Sequence, residues 1–319
     1  MTSRWLPYLR AGFLGAVVVF AYLGLRGRFG EVADALRETP PGGLVLALAL
    51  VLLGLSCTGV LWLRIMAALG GRLPLLDGSA TFFVGQLGKY IPGSVWSLGA
   101  QAQLAGRYAV PPRATVTAGL VFLGYHLVTG VAVGAVACVC GWVDAPWPGW
   151  VSVLALVLSV LALLPPVVRR LARRLGGREL QLGWVDTAVV VALMLATWSA
   201  YAAALVLLSP DRSWSDVLAL GAAFAIAYAV GVVVIAAPAG VGAREALFVA
   251  LLTPVLGVAE ATALALLARV VHTVADGLLA ASWWAVARRP GAAALDPARL
   301  SADATCADLP TASPPAGPR

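Results

Sequence analysis

The chain has 319 residues, 61% of them hydrophobic and 12% charged, with a mean hydropathy of +0.91. Those values exclude an ordinary soluble domain, in which about 25% of residues are charged. The formal charge of +7 is no nucleic-acid footprint, because the arginines cluster at the ends of apolar runs, as the positive-inside rule produces.

Several of those runs reach the roughly 20 residues that cross a bilayer, so the sequence reads as an all-α polytopic membrane protein. A first span is expected at about 8–25, between Arg4 and Arg10 and the mixed-charge connection 26–41. It lacks a small-residue cleavage site and reads as a retained span, not a signal peptide. A second span, about 43–63, ends at Arg64, with Arg72 close behind. The apolar segment 79–105 is interrupted near Pro92-Gly93-Ser94 and followed by Arg107 and Arg113. A run from 114 to 140 leads into the loop 141–149, which has no Lys or Arg. The next span, about 150–168, runs into Arg169, Arg170, Arg173, Arg174 and Arg178, the strongest cytoplasmic marker in the chain. A span over 184–208 precedes a second interrupted segment, about 217–254, and a last span at 259–286 ends at Arg288 and Arg289. The tail from Pro290 is rich in Pro, Ala, Ser and Asp and is expected to be a disordered cytoplasmic segment.

The second interruption holds Pro238, Gly240 and Gly242, directly before Arg244 and Glu245. Proline lacks an N–H and clashes with the preceding turn, while glycine frees the backbone. In lipid such a place is a broken helix that must be shielded by protein or face a polar cavity. An offset of 146 positions lays Val84-Gly85 and Pro92 on Val230-Gly231 and Pro238, and lays His126 on His272, the chain's two histidines. This defines an internal repeat with halves at about 79–130 and 217–276, an arrangement typical of transporters. With the 169–178 loop in the cytoplasm, six full spans and two re-entrant hairpins, eight helical units in all, satisfy the charge rule. Both termini are then cytoplasmic and the repeat is inverted. If both broken segments cross fully, the chain has eight spans instead.

Charges near the bilayer centre cost roughly 2.5–3.5 kcal/mol each on insertion scales, so their default reading is an interior role. The candidates are Lys89, Arg244, Glu245, Arg269 and Asp276, with His126 and His272. Arg269, His272 and Asp276, spaced by three and then four residues, share one face of the last helix. Each has a plainer reading. Arg269 and Asp276 could fix helix packing in a buried network with Glu245, Arg244 and Glu245 could form an interfacial pair capping a short helix, His126 could be a hydrogen-bonded core residue, and Lys89 could snorkel to the interface. Beside two breaks, the group as a whole favours a site. Helices starting after Pro92 and after Gly242 direct unsatisfied N–H groups into the breaks, an anion site strengthened by Lys89 in one half and Arg244 in the other. The ionisable residues and the breaks Pro92, Gly93, Pro238, Gly240 and Gly242 thus form the candidate substrate-binding set, and the anion available at that depth is a lipid phosphate. No catalytic group, metal site or cofactor is expected. The four cysteines have no zinc spacing, Gly240-Val-Gly242 lacks the third glycine of a dinucleotide fingerprint, and there is no P-loop.

Pro238-Ala-Gly-Val-Gly-Ala-Arg-Glu245, followed by Ala268-Arg269 and Gly277, resembles the flippase-like family known from the transmembrane region of lysylphosphatidylglycerol synthases. Gly88-Lys-Tyr-Ile-Pro-Gly93 and the stretch 101–107 resemble that family's first broken motif. The resemblance covers most of 10–287. It implies a transmembrane domain of the eight-helix class over 1–289, linked to translocating lipids and in some members an aminoacylated phospholipid. Its Arg and Glu fall on Arg244 and Glu245, and its last-helix Arg on Arg269. The chain departs at Pro92-Gly93-Ser94-Val95-Trp96, with no charged residue just after the break, and no aminoacyl-transfer domain follows Arg289, so lysyl transfer is not implied. The expectation is a non-enzymatic plasma-membrane translocator of a phospholipid or lipid-linked glycan, with an anionic head group as ligand. The alternatives are an intramembrane transferase acting on a lipid-linked donor, and a non-transporting subunit that recruits a lipid-modifying or glycosyl-transferring enzyme. Arg244→Ala, Glu245→Gln and Arg269→Ala are each expected to stop translocation while leaving the chain folded.

Overall fold

The computed structural model describes residues 29–91, 95–144, 147–176, 179–209, 216–233 and 242–287, with four isolated positions of the first expected span, Gly12, Gly15, Val19 and Tyr22. The expected breaks at Pro92, Gly93, Pro238 and Gly240, and the expected tail from 290, lie outside these residues. Every described element is helical: α1 (Phe29–Glu38), α2 (Pro41–Ala68), α3 (Leu75–Gln86), α4 (Val95–Ala105), α5 (Pro112–Val139), α6 (Gly149–Leu163), α7 (Pro165–Gly176), α8 (Trp184–Leu207), α9 (Val217–Val233), α10 (Ala243–Leu256) and α11 (Val258–Ala287). A 3-10 turn (Leu87–Tyr90) follows α3, and another (Gly106–Tyr108) follows α4.

Four helices, α2, α5, α8 and α11, are long and apolar enough to cross a membrane. Two of them, α2 and α5, open on a proline in the first turn, where its missing N–H is no loss and its φ suits a helix. The long helices form the frame, with α2 packed along α8. Their contact is close because Gly54 admits the Tyr201 ring and Thr197 Oγ1 donates to the Gly54 carbonyl at 3.1 Å.

The span expected at 150–168 is shorter than the sequence suggested. Helix α6 ends at Leu163, Pro165 opens α7, and the two helices are bent by 70°. Consecutive prolines at 165 and 166 cannot continue the hydrogen-bond ladder. Val153, Leu154, Val157 and Leu158 face outward on α6 while Ser152 and Ser159 are buried, the pattern of a helix surrounded by lipid. Helix α7 carries Arg169, Arg170, Arg173 and Arg174 on exposed faces and buries Val168 and Ala172. The connection 26–41, read as mixed-charge, contains α1. It buries Ala35 against the bundle, leaves the Arg37–Asp34 pair (3.1 Å) in the open, and packs on α11.

Each half of the expected repeat consists of two short helices and a long one: α3, α4 and α5, then α9, α10 and α11. At 1.5 Å per residue α3 extends about 18 Å, well short of the ~30 Å hydrocarbon core. Its partner α4 is shorter still, and the two pack on each other, as do α9 and α10.

Contacts between the helix ends fix which ends meet. Tyr108, outside the spans, lies beside Asp77, so the end of α4 returns to the start of α3. Burial first, and then the Asp77 carboxylate, push the Tyr108 hydroxyl up to about 12. The Gln181 N–H donates to Ala68 O at 2.9 Å, and Gly176 abuts Thr117. The arginine-bearing connections therefore gather at one end of the bundle. At the other end Gly43 approaches the Leu207 carbonyl, and Ser209 Oγ, just after α8, donates to Glu260 Oε1, in the first turn of α11, at 3.1 Å.

The turn after α3 is held by a close approach. A methyl group at Gly88 would lie 2.6 Å from the Ser97 nitrogen and 2.8 Å from the Ser97 Cα, both backbone atoms of α4. Gly88→Ala should therefore separate the two arms. It is expected to cost about 1–3 kcal/mol, the range for overpacking a tight site, seen as a lower thermal midpoint in detergent.

Candidate functional site

A cavity of about 380 Å³ lies among α3 and its turn, α5, α8, α9, α10 and α11. Its polar wall is the face of α11 expected from residue spacing. Arg269, His272 and Asp276 are 7%, 8% and 5% exposed, so the stripe is turned inward. Asp276 binds the Lys89 ammonium at 2.6 Å and accepts from the Tyr90 hydroxyl at 2.7 Å. Lys89 therefore does not snorkel away. Its charge is held against the last helix, and Tyr90 OH also lies 3.3 Å from Thr273 Oγ1.

The second broken segment is tied to the same helix. Gly242, with φ +86°, takes a left-handed conformation that suits glycine. It precedes α10, whose third residue, Glu245, accepts the Gly242 N–H at 2.7 Å. The other oxygen of Glu245 is ion-paired and hydrogen-bonded to Arg269 Nη1 on α11. Glu245 thus serves as helix cap and as a bridge between helices.

Arg244 behaves differently from its neighbour, and the plainer alternative, an interfacial Arg244–Glu245 pair, is not the contact that the side chain makes. Its guanidinium carbon lies 4.5 Å from the ring centroid of Phe224 and 5.1 Å from that of Tyr228, within cation–π range. Among the described residues it makes no hydrogen bond or ion pair. A cation in the first turn of a helix also stands at the wrong end of the macrodipole. Around the cavity three cations (Lys89, Arg244, Arg269) face two carboxylates (Glu245, Asp276), and both carboxylates are already paired. Among the described residues the surplus is one positive charge, carried by Arg244.

The two histidines flank that guanidinium. His126 stacks on Tyr228 with centroids 4.6 Å apart, and His272 on Phe224 at 5.2 Å. His272 Nδ1 lies 2.8 Å from the Ala268 carbonyl. The Nε2 atom of each ring is buried without a hydrogen-bond partner among the described residues, so His126 is not a hydrogen-bonded core residue through that atom.

The structure therefore brings together Lys89, His126, Arg244, Glu245, Arg269, His272 and Asp276, with Gly242 at the start of α10. Pro92, Gly93, Pro238 and Gly240 lie outside the described residues. Tyr90, Phe224 and Tyr228 are site residues that the sequence did not single out. An aromatic residue in an apolar run reads as core, and only the four-residue spacing of Phe224 and Tyr228 hinted at a shared face.

No curated protein matches the chain. The family model described as the lysylphosphatidylglycerol synthase TM region matches residues 10–280, and together with the four long apolar helices this match shows that the chain belongs to that family, as a multi-pass membrane protein in lipid-related pathways.

Proposed function

We propose that the protein translocates a phospholipid or lipid-linked glycan across the plasma membrane, without chemistry on the lipid, by lodging its anionic head group in the cavity. One observation carries the reading: Arg244, at the start of α10, is a cation with no ion pair among the described residues, set on two aromatic rings beside the cavity. Arg244 is half-buried, a charge withdrawn from water is normally paired, and a lipid phosphate would supply a partner.

The path follows from two re-entrant hairpins of opposite hand, in a frame of six full spans. The meeting of Tyr108 with Asp77 at the arginine-rich end supports entry of α3–α4 from that side. The Ser209–Glu260 contact supports entry of α9–α10 from the other. On this reading the arginine-rich end and both termini are cytoplasmic, and Lys89 after α3 and Arg244 in α10 bring both hairpins to the common cavity. The head group passes between the hairpins while the acyl chains remain in lipid. An envelope-lipid enzyme that makes or modifies this lipid is the natural partner.

The test is reconstitution. Vesicles containing the protein should bleach inner-leaflet fluorescent phosphatidylglycerol with dithionite faster than protein-free vesicles. Equal rates for every phospholipid and polyprenyl phosphate tried would end the reading.

A further inference from the structure

We infer that the head group is the phosphate ester of a small polyol (glycerol, inositol or one sugar) and bears no cationic group. The inference rests on the translocator reading and names the substrate class of the same site.

The charge balance excludes an ammonium. Glu245 is engaged by Arg269 and the Gly242 N–H, and Asp276 by Lys89 and the Tyr90 hydroxyl. Among the described residues around the cavity no carboxylate remains for a substrate cation, which would also meet Arg244. A single phosphate negative charge cancels the surplus, whereas an aminoacyl or ethanolamine group restores it.

The histidines call for hydroxyls. A carbonyl oxygen only accepts, so His272 Nδ1 must carry the proton that it directs at Ala268 O. In the neutral ring Nε2 is then a bare acceptor, buried and unpartnered. A buried acceptor left unsatisfied costs about 1–3 kcal/mol, and a ligand O–H removes that cost. His126 Nε2 is in the same condition, and a hydroxyl suits it in either tautomer because it both donates and accepts. The placement matches one ligand. Phe224 touches both Arg244 and His272, and Tyr228 touches both Arg244 and His126, so a phosphate on Arg244 has a histidine packed on either of the two supporting rings. A volume near 380 Å³ is at the low end for small-molecule sites, which run from about 300 to 1,000 Å³. That leaves room for one small head group and not an oligosaccharide.

Binding separates this inference from the transport reading. The full-length protein in detergent is titrated with dihexanoyl phosphatidylglycerol, dihexanoyl phosphatidylethanolamine and sn-glycerol 3-phosphate, following intrinsic tryptophan fluorescence. The glycerol lipid should bind at least about tenfold tighter than the ethanolamine lipid, one hydrogen bond being worth about that factor. His272→Phe, which keeps a ring against Phe224, should shrink the preference to what the charge balance alone supplies, and His272→Gln, which restores an acceptor, should recover part of the loss. His126→Phe reads the same difference should the first variant not fold. Equal binding of the two lipids through Arg244, or a preference untouched by both histidine variants, overturns the polyol inference and leaves translocation standing. If sn-glycerol 3-phosphate binds as tightly as the glycerol lipid, the polyol phosphate stands and the lipid source fails. Absence of binding by all three overturns both.

Discussion

Arg244→Ala should slow lipid translocation while leaving the melting curve almost unchanged. The two effects separate because the side chain has almost nothing holding it inside the protein. Its contacts with Phe224 and Tyr228 are worth about 0.5–2 kcal/mol. Removing a cation from the first turn of α10 returns about 0.3–1 kcal/mol, the usual size of a macrodipole term. Those terms nearly cancel. Hydrogen bonds from a guanidinium to a charged phosphate contribute about 1.5–3 kcal/mol, and at 1.4 kcal/mol per factor of ten their loss should slow initial rates by roughly 10- to 150-fold. Arg244→Lys should fall between, since it keeps the charge and loses the planar fork that stacks and binds bidentately. Dithionite bleaching in vesicles and thermal unfolding of the same preparation check both halves. A variant that transports at the native rate would remove Arg244 from the site.

Glu245→Gln and Arg269→Ala should do the reverse and damage the fold before the transport. Each strands a buried charge between α10 and α11, and breaking such a pair by removing one partner typically costs about 3–5 kcal/mol. The double variant Glu245→Gln with Arg269→Met leaves no charge unpaired, so it should regain most of the lost thermal midpoint. A double-mutant cycle on the unfolding midpoint measures the coupling. Strictly additive losses would show that the pair does not hold the two helices together. The expectation that all three substitutions act alike on a folded protein thus gives way to a division of labour between adjacent residues.

That division shows what a sequence conveys and what it does not. Spacing placed Arg269, His272 and Asp276 on one face correctly, because the 3.6-residue period is a local property. His126 and His272, singled out as the chain's two histidines, both line the cavity. Adjacency in the chain misled for Arg244 and Glu245. Neighbouring residues on a helix point about 100° apart, so one met α11 and the other α9. Apolar composition carried the 150–168 span too far, because Val167 and Val168 count as readily as Leu163 while Pro165 and Pro166 reset the backbone between them. Charge concealed α1, since Asp34 and Arg37 at a spacing of three are as natural on a helix surface as in a loop. Tyr90 was hidden because its role lies with Asp276, 186 residues away, and no local pattern carries that information.

Two fastenings on α11 have a mechanical consequence. Asp276 grips the turn that follows α3, and Arg269, seven positions earlier on the same rod, grips the cap of α10. They stand about two turns apart, near 10 Å. A rigid rod so fastened cannot slide by one turn, or roll appreciably, without straining both grips together. Displacing the turn after α3 therefore loads the start of α10 as well, and α11 is the spindle that links the two.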